Sequence, residues 1–341
     1  MSRKIKCLVW DLDNTLWEGT LLEGDRLHLR PNVRQVLEEL DRRGILLSIA
    51  SKNNYEDGIA MLEQFGLREY FLYPQIGWGE KSRSIQAIAE ALNIGIDTLA
   101  FIDDRQEERG EVLHYCPEVM VLDEWAYQSI LDREEFQPRF VTEDAKYRRA
   151  MYVAEGQRKE AESEFTGSNE TFLKTLDMKL SIAPVTEEDL QRVEELTVRT
   201  NQLNSTGVTY DYDQLREFIR SDKHVFLIAG LTDSFGTYGK VGLVLAEIGE
   251  DTLDIKLLLM SCRVATRGIG TAMLIHLIRL AHEKGKGLTA DFRETGRNRM
   301  MGITYKLIGF EEEGDEVEGV QKLCYQGENR EYPDYLTVEL S

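Results

Sequence analysis

Cysteine is scarce in this chain of 341 residues: Cys7, Cys116, Cys262 and Cys324 are widely scattered and form no CxxC pair. Zinc-ligand spacing and a disulfide framework are both missing, so reduced thiols in a cytosol are expected. Proline occupies six positions and there is no low-complexity tract or internal repeat, which excludes a proline-rich or disordered protein. No apolar run approaches the roughly 20 residues that a helix needs to cross a bilayer. The first apolar stretch, Cys7 to Trp10, is broken at once by Asp11 and Asp13, unlike a secretory signal. The expectation is a cytoplasmic protein with no membrane partner. Positive charge is also in deficit, with 41 Lys and Arg against 61 Asp and Glu for a formal net charge of −20. That sign argues against nucleic acid, whose phosphates call for an excess of Lys and Arg.

The deficit is uneven. From Lys256 to Met300 nine Lys or Arg face three acids, so an acidic partner could dock there, while a solvated helix face is the plainer alternative. The length predicts two domains. Over residues 1–130 short β-rich runs alternate with helical patterns, which indicates an α/β domain with a parallel sheet and crossover helices. Lys6–Asp11 (KCLVWD), Ile45–Ala50, Leu99–Ile102 and Val119–Leu122 read as buried strands. Helices are expected from Pro31 to Arg43, Tyr55 to Phe65 and Lys81 to Leu92. Residues 131–175 are polar and charged, with a helical pattern around Ala145–Ala161, and read as a connector. Over residues 176–341 an α+β domain is expected. Its strands are Met178–Ala183, Val225–Ala229, Val241–Ile248 and Thr252–Met260 in an antiparallel sheet, and its helices span Gly268–Lys284 and Arg299–Ile308.

The acids of the first half stand where open α/β sheets bind ligands, just past strand ends. In Asp11-Leu12-Asp13-Asn14-Thr15, Asp11 can attack phosphorus while Asp13 protonates a leaving group and later deprotonates water. Neighbouring carboxylates call for a cation between them, and Mg²⁺ suits oxygen donors. Asp103 and Asp104 add oxygens at another strand end. Ser51, with Lys52 and Asn53 behind it, can bind phosphoryl oxygens, as can Thr15. Lys81 opens a helix, where ammonium and backbone N–H groups both favour an anion. A solvated turn at Asp11 and Asp13 and a helix cap at Asp103 are the structural alternatives.

DLDNT, a strand ending in Ser51, then Lys81, then Asp103-Asp104 resemble the four ordered motifs of the haloacid-dehalogenase phosphohydrolases over about residues 5–125. The resemblance implies an aspartyl-phosphate on Asp11 and Mg²⁺ held by Asp11, the Asp13 carbonyl and Asp103. The segment from Trp17 to Asn32 is too short for a large cap domain, and an open site suits a bulky or protein-bound substrate.

In the second half, Arg267-Gly268-Ile269-Gly270 leads from a strand into a helix, a turn whose N–H groups can hold a phosphate. With Asn298 and Tyr305–Phe310 (YKLIGF) it resembles the GNAT-fold acyltransferases over about residues 178–312. Those enzymes place Arg or Gln three residues before the first glycine, where this chain has Ala265.

Both halves together, VWDLDNTLWEG followed by RTNQLNSTG (Arg199–Gly207) and MSCRV (Met260–Val264), resemble the FkbH-like glyceryl transferases. In place of the Asn and Pro usual there after the aspartate pair, this chain has Arg105 and Gln106. The resemblance implies 1,3-bisphosphoglycerate as donor, loss of phosphate, and delivery of a glyceryl group to the phosphopantetheine thiol of an acyl carrier protein in polyketide biosynthesis. Cys262 lies between a strand end and a helix N-terminus with Arg263 and Arg267 close in sequence, surroundings that suit a nucleophilic thiol. It is the candidate acceptor of the glyceryl group as a thioester, and a buried small hydrophobe is its alternative. Asn201 and Gln202 are either capping amides or a hydrogen-bonding wall for substrate. A basic surface around Arg263, Arg267 and Arg297 is expected to orient the carrier. Two other readings stay open. One is a Mg-dependent small-molecule phosphatase whose second domain only binds a partner. The other is a CoA-dependent acyltransferase with the first domain as scaffold.

Overall fold

The computed structural model describes residues 4–138, 140–200 and 202–341. The chain divides into two compact units, one ending at Val153 and the other spanning Ala154–Ser341.

The N-terminal unit opens with β1 (Cys7–Trp10), a two-stranded ribbon of β2 (Trp17–Glu18) and β3 (His28–Leu29), and α1 (Val33–Arg42). Then follow β4 (Leu46–Ser51), α2 (Tyr55–Gln64), β5 (Gln75–Ile76), α3 (Lys81–Leu92), β6 (Leu99–Asp103), α4 (Gln106–Tyr115) and β7 (Met120–Asp123). The sheet order is β5-β4-β1-β6-β7, with every adjacent pair parallel. A sheet covered on both faces needs apolar side chains on both, and β1 supplies them. Leu8 and Trp10 pack with Val33, Leu37 and Leu40 of α1. Cys7 and Val9 face Ile85, Ile88 and Leu92 of α3 and Val112 of α4. Helix α1 begins at Val33 rather than Pro31 because Asn32 takes a left-handed φ of 62°, outside the helical region. Register does the rest. Trp10 lies level with Ile49 of β4 and Ile102 of β6, so Asp11, Ser51 and Asp103 come out of the sheet side by side at one edge.

Residues 131–175 are largely helical, with α5 (Glu143–Lys146), α6 (Arg148–Glu164) and α7 (Asn169–Thr175). Beyond them the C-terminal unit continues through β8 (Met178–Pro184), α8 (Leu190–Arg199), α9 (Tyr212–Arg220), β9 (His224–Asp233), β10 (Gly236–Ile248) and β11 (Thr252–Met260). It closes with α10 (Ile269–Glu283), β12 (Gly287–Phe292), α11 (Arg299–Ile308), β13 (Phe310–Val317), β14 (Val320–Tyr325) and β15 (Leu336–Leu340). The order is β13-β14-β12-β11-β10-β9-β8-β15. The four strands foreseen, β8 to β11, are antiparallel to one another. The sheet as a whole is mixed, however, because β12 runs parallel to β11 and β15 parallel to β8. Helix α10 makes the β11 to β12 crossover, as a parallel pair requires.

The two parallel strands then part. β12 pairs with β11 only from Thr252 to Ile255. Past that point the edge of β11 is taken by residues 203–205. Met260 N donates to Leu203 O at 2.8 Å and Ser205 N to Leu258 O at 2.9 Å, while Leu258 N donates to Ser205 Oγ at 3.0 Å. Asn298, fully buried just before α11, clamps the segment. Its Nδ2 donates to Asn204 O and Arg293 O, both at 2.8 Å.

Candidate active site

The N-terminal site gathers around a buried ammonium. Lys81 is at the first position of α3 and is 2% exposed. Its Nζ donates to Asp11 Oδ1 at 2.5 Å, Ala50 O at 2.8 Å and Asp103 Oδ2 at 3.0 Å, and stands 3.0 Å from Glu108 Oε2. Ser51 ends β4 beside Asp11, and its hydroxyl favours the Asp11 carboxylate against burial. Asp103 is fixed from its other side by the Arg105 N–H at 2.7 Å. Lys52, exposed, reaches Glu108 Oε1 at 3.3 Å. Thr15, fully buried, accepts the Asp104 N–H at 3.0 Å.

Asp13 faces another way. Its Oδ1 accepts Trp17 Nε1 at 2.8 Å and the Leu21 N–H at 3.1 Å, and its Oδ2 accepts Asn53 Nδ2 at 2.9 Å. Three donors on one carboxyl fix its orientation two residues beyond Asp11. The loop that makes this possible turns at Asn14, with φ of 53°, where Arg30 donates to Asn14 O.

Burial and crowding set the protonation of the cluster. Burial, then the charge of Asp11, pushes Asp103 up to about 7. Burial also raises Asp11 against the pull of Lys81, and raises Asp104 together with the Asp11 charge. Burial acts on Glu108 too, but Lys81 and Lys52 hold it below the ordinary glutamate range. Lys81 is lifted above its ordinary value, because Asp11, Asp103 and Glu108 outweigh its desolvation. Three carboxylates around one ammonium leave excess negative charge, and this suits a divalent cation. Oxygens of Asp11, Asp103 and Glu108 all lie within 4.8 Å of one another. Asp11 and Asp103 were foreseen as metal residues and Glu108 was not. The side chains of Asp13 and Asp104 lie outside this group.

In the C-terminal unit Cys262 opens a short 3-10 turn, Cys262–Val264, after β11, and is half-buried. Among the described residues no cysteine is in a disulfide. Arg263 Nε lies 3.4 Å from Ser261 Oγ. Gln202 is exposed, and Asn201 lies outside the described residues. The expected basic surface needs a correction at Arg267, which is 2% exposed. Its guanidinium pairs inward with Glu162 at 3.4 Å and Glu155 at 3.9 Å, both on α6, because a buried charge is held only with a counter-charge. The glycines beside it answer to packing. A Cβ on Gly268, at φ 74°, would meet Tyr335 Oη at 2.3 Å, and one on Gly270 would meet Met260 Sδ at 2.6 Å.

No family model matches the chain. Magnesium-dependent phosphatase 1 of Homo sapiens is 29% identical to it, over 33% of this chain and 74% of that protein. The crystal structure of the N-terminal part of BF1531 from Bacteroides fragilis, containing a phosphatase domain complexed with Mg, is 28% identical. It covers 38% of this chain with a TM-score of 0.34, and the match spans 40% of that chain. The ribosomal-protein-S18-alanine N-acetyltransferase of Escherichia coli is 16% identical over 45% of this chain and 99% of its own, with a TM-score of 0.34. The N-terminal unit has a parallel α/β sheet with acids at its strand ends, and over 33% of the chain the sequence is similar to a magnesium-dependent phosphatase. The C-terminal unit is an α+β domain built on a mixed eight-stranded sheet.

Proposed function

We propose that this protein is a Mg²⁺-dependent phosphatase coupled to glyceryl transfer, using 1,3-bisphosphoglycerate and delivering a glyceryl group to the phosphopantetheine thiol of an acyl carrier protein. The observation that carries the phosphatase half is the packing of Asp11, Asp103 and Glu108 around Lys81 at the strand ends. The acyl half rests on Cys262 and on the resemblance of MSCRV and RTNQLNSTG to the FkbH-like enzymes.

In this reading Asp11 attacks the phosphorus of the 3-phosphate, and Asp13, held by Trp17, Leu21 and Asn53, gives a proton to the departing oxygen. Asp13 then takes a proton from the water that splits the aspartyl-phosphate. Lys81 keeps Asp11 oriented. Mg²⁺, held by Asp11 and Asp103 with the Asp13 carbonyl, would neutralise phosphoryl charge. At the second site the Cys262 thiolate attacks the acyl-phosphate carbon, phosphate leaves, and the resulting thioester passes to the carrier thiol, regenerating Cys262. A plain phosphatase with a partner-binding second unit is the second reading. It is favoured by one observation: Arg267 pairs inward with Glu155 and Glu162 instead of facing the Gly268–Gly270 turn as a cation for a phosphate.

Intact-protein mass spectrometry after incubation with Mg²⁺ and 1,3-bisphosphoglycerate tests the choice. An acyl adduct on wild type but not on Cys262→Ala supports transfer. Phosphate release with no adduct on either leaves the phosphatase, or direct transfer to a carrier thiol, and overturns the Cys262 thioester.

A further inference from the structure

Helix α11 carries two apolar faces. Met301, Tyr305 and Ile308 are buried in the core of the C-terminal unit. Met300, Ile303 and Leu307 point outward, 54%, 38% and 75% exposed. Their spacing of three and four residues makes a continuous stripe along the helix. Single exposed apolar residues are ordinary, but a stripe beside charge marks a contact surface. Exposed Arg293, Arg297 and Arg299 stand at its N-terminal end, with Glu294 as the acid among them.

The stripe is tied to the strand that leads to Cys262. Asn298 Nδ2 donates to Asn204 O at 2.8 Å, and Met260 N donates to Leu203 O at 2.8 Å, two residues before Cys262. Thr304 sits over the first turn of α10, 3.5 Å from where a Cβ of Gly270 would stand. Helix α11 is thus hydrogen-bonded, through Asn298 and residues 203–205, to the last residues of β11.

We infer that the outer face of α11, with Arg297 and Arg299, docks an acidic amphipathic helix of a partner protein. The inference deepens the proposed glyceryl transfer and rests on it for the partner's role. Charge complementarity selects that occupant. A chain of net charge −20 repels an acidic partner over most of its surface, so a basic island next to an apolar stripe both attracts and orients one. The stripe supplies apolar anchors at i, i+3 and i+7 for a partner helix.

The test is fluorescence anisotropy of a labelled, acidic holo acyl carrier protein titrated with the full chain at low salt. Wild type is expected to bind in a salt-sensitive way. Arg297→Glu/Arg299→Glu and, separately, Leu307→Asp are expected to weaken binding at least about tenfold, while Cys262 acylation without carrier stays at the wild-type rate. All three side chains are exposed, and a melting curve checks each variant's fold. Should Leu307→Asp fail to fold, the double arginine variant carries the test. Unchanged binding by the variants, or no carrier binding by wild type, overturns the inference. So does a wild-type dimer by light scattering that Leu307→Asp dissolves, which would assign the face to a second copy of the chain. Anisotropy needs no acyl donor, so a failure of Cys262 to acylate would count against the transferase reading and leave the docking result to stand by itself.

Discussion

Asn53 donates through Nδ2 to Asp13 Oδ2 across 2.9 Å, from a side chain only 1% exposed. Its own Oδ1 is buried without a hydrogen-bond partner among the described residues. An amide kept in that position at a desolvation cost is a positioning residue for the acid. Asn53→Ala is expected to lower kcat for phosphate release by about 10-fold or more, near 1.4 kcal/mol in the barrier, with KM little changed. Steady-state phosphate-release assays separate the two constants. An unchanged kcat would remove Asn53 from the mechanism.

Lys81 is the counter-charge for three buried acids. Lys81→Met is expected to abolish phosphatase activity and to destabilise the N-terminal unit by roughly 3–5 kcal/mol, as when one partner of a buried pair is removed. Added Mg²⁺ should raise the melting temperature of this variant more than that of wild type, because the cation takes over charge the ammonium balanced. Differential scanning calorimetry with and without Mg²⁺ reads this.

Glu108 shares its carboxylate between Lys81 and Lys52 and also lies among the oxygens that could hold the cation. If it is a ligand, Glu108→Gln raises the Mg²⁺ concentration needed for half-maximal activity. If it only steers the two lysines, the variant raises KM for the phosphate ester at saturating Mg²⁺. The geometry favours the second outcome, since both oxygens already have cationic partners. A Mg²⁺ titration crossed with a substrate titration decides.

Asp233 and Arg158 form a buried pair at 2.7 Å, with Tyr238 Oη on the same carboxylate at 2.8 Å. Burial opposes ionisation of Asp233, but the Arg158 and Tyr238 hydrogen bonds hold it below the ordinary aspartate range. The unfolded chain therefore binds the proton more readily. The pair's stabilisation is present above about pH 4, the unfolded value, and is lost as pH falls through the lower folded value. Asp233→Asn is expected to lower the melting temperature at pH 7 and to flatten its decline below pH 4. Parallel slopes for variant and wild type would sink the assignment.

Arg267, by its burial against Glu155 and Glu162, is expected to act on stability rather than on docking. Arg267→Ala should lower the melting temperature of the C-terminal unit and leave the salt dependence of carrier binding unaltered. Arg297→Glu/Arg299→Glu should do the reverse.

Elements with a strong period or a clear stop were legible in the sequence. Lys81–Leu92, Thr252–Met260 and Arg299–Ile308 have the bounds expected for them, and Asp11 and Asp103 come together at Lys81, with Ser51 at the end of the strand beside them. Glu108 was hidden because it sits five residues past Asp103 in a run of charges on α4, where nothing in spacing separates it from Glu107. β13 was hidden because FEEEGDEV is almost wholly exposed and has no apolar alternation, a common state of edge strands. Arg267 was read as a surface charge because its neighbours, Glu155 and Glu162, lie more than a hundred residues away. Packing between distant helices leaves no local trace.

The far end of β11 is completed by residues more than fifty positions earlier in the chain. The amides of Leu258 and Met260 are thus bonded only once residues 203–205 have docked, and a contact of such range closes late because loop entropy is spent before it is made. Hydrogen exchange at these two amides becomes a clock for the folding of the loop that leads to Cys262: slow exchange reports a finished Cys262 turn, and fast exchange reports a sheet assembled around an unfinished one.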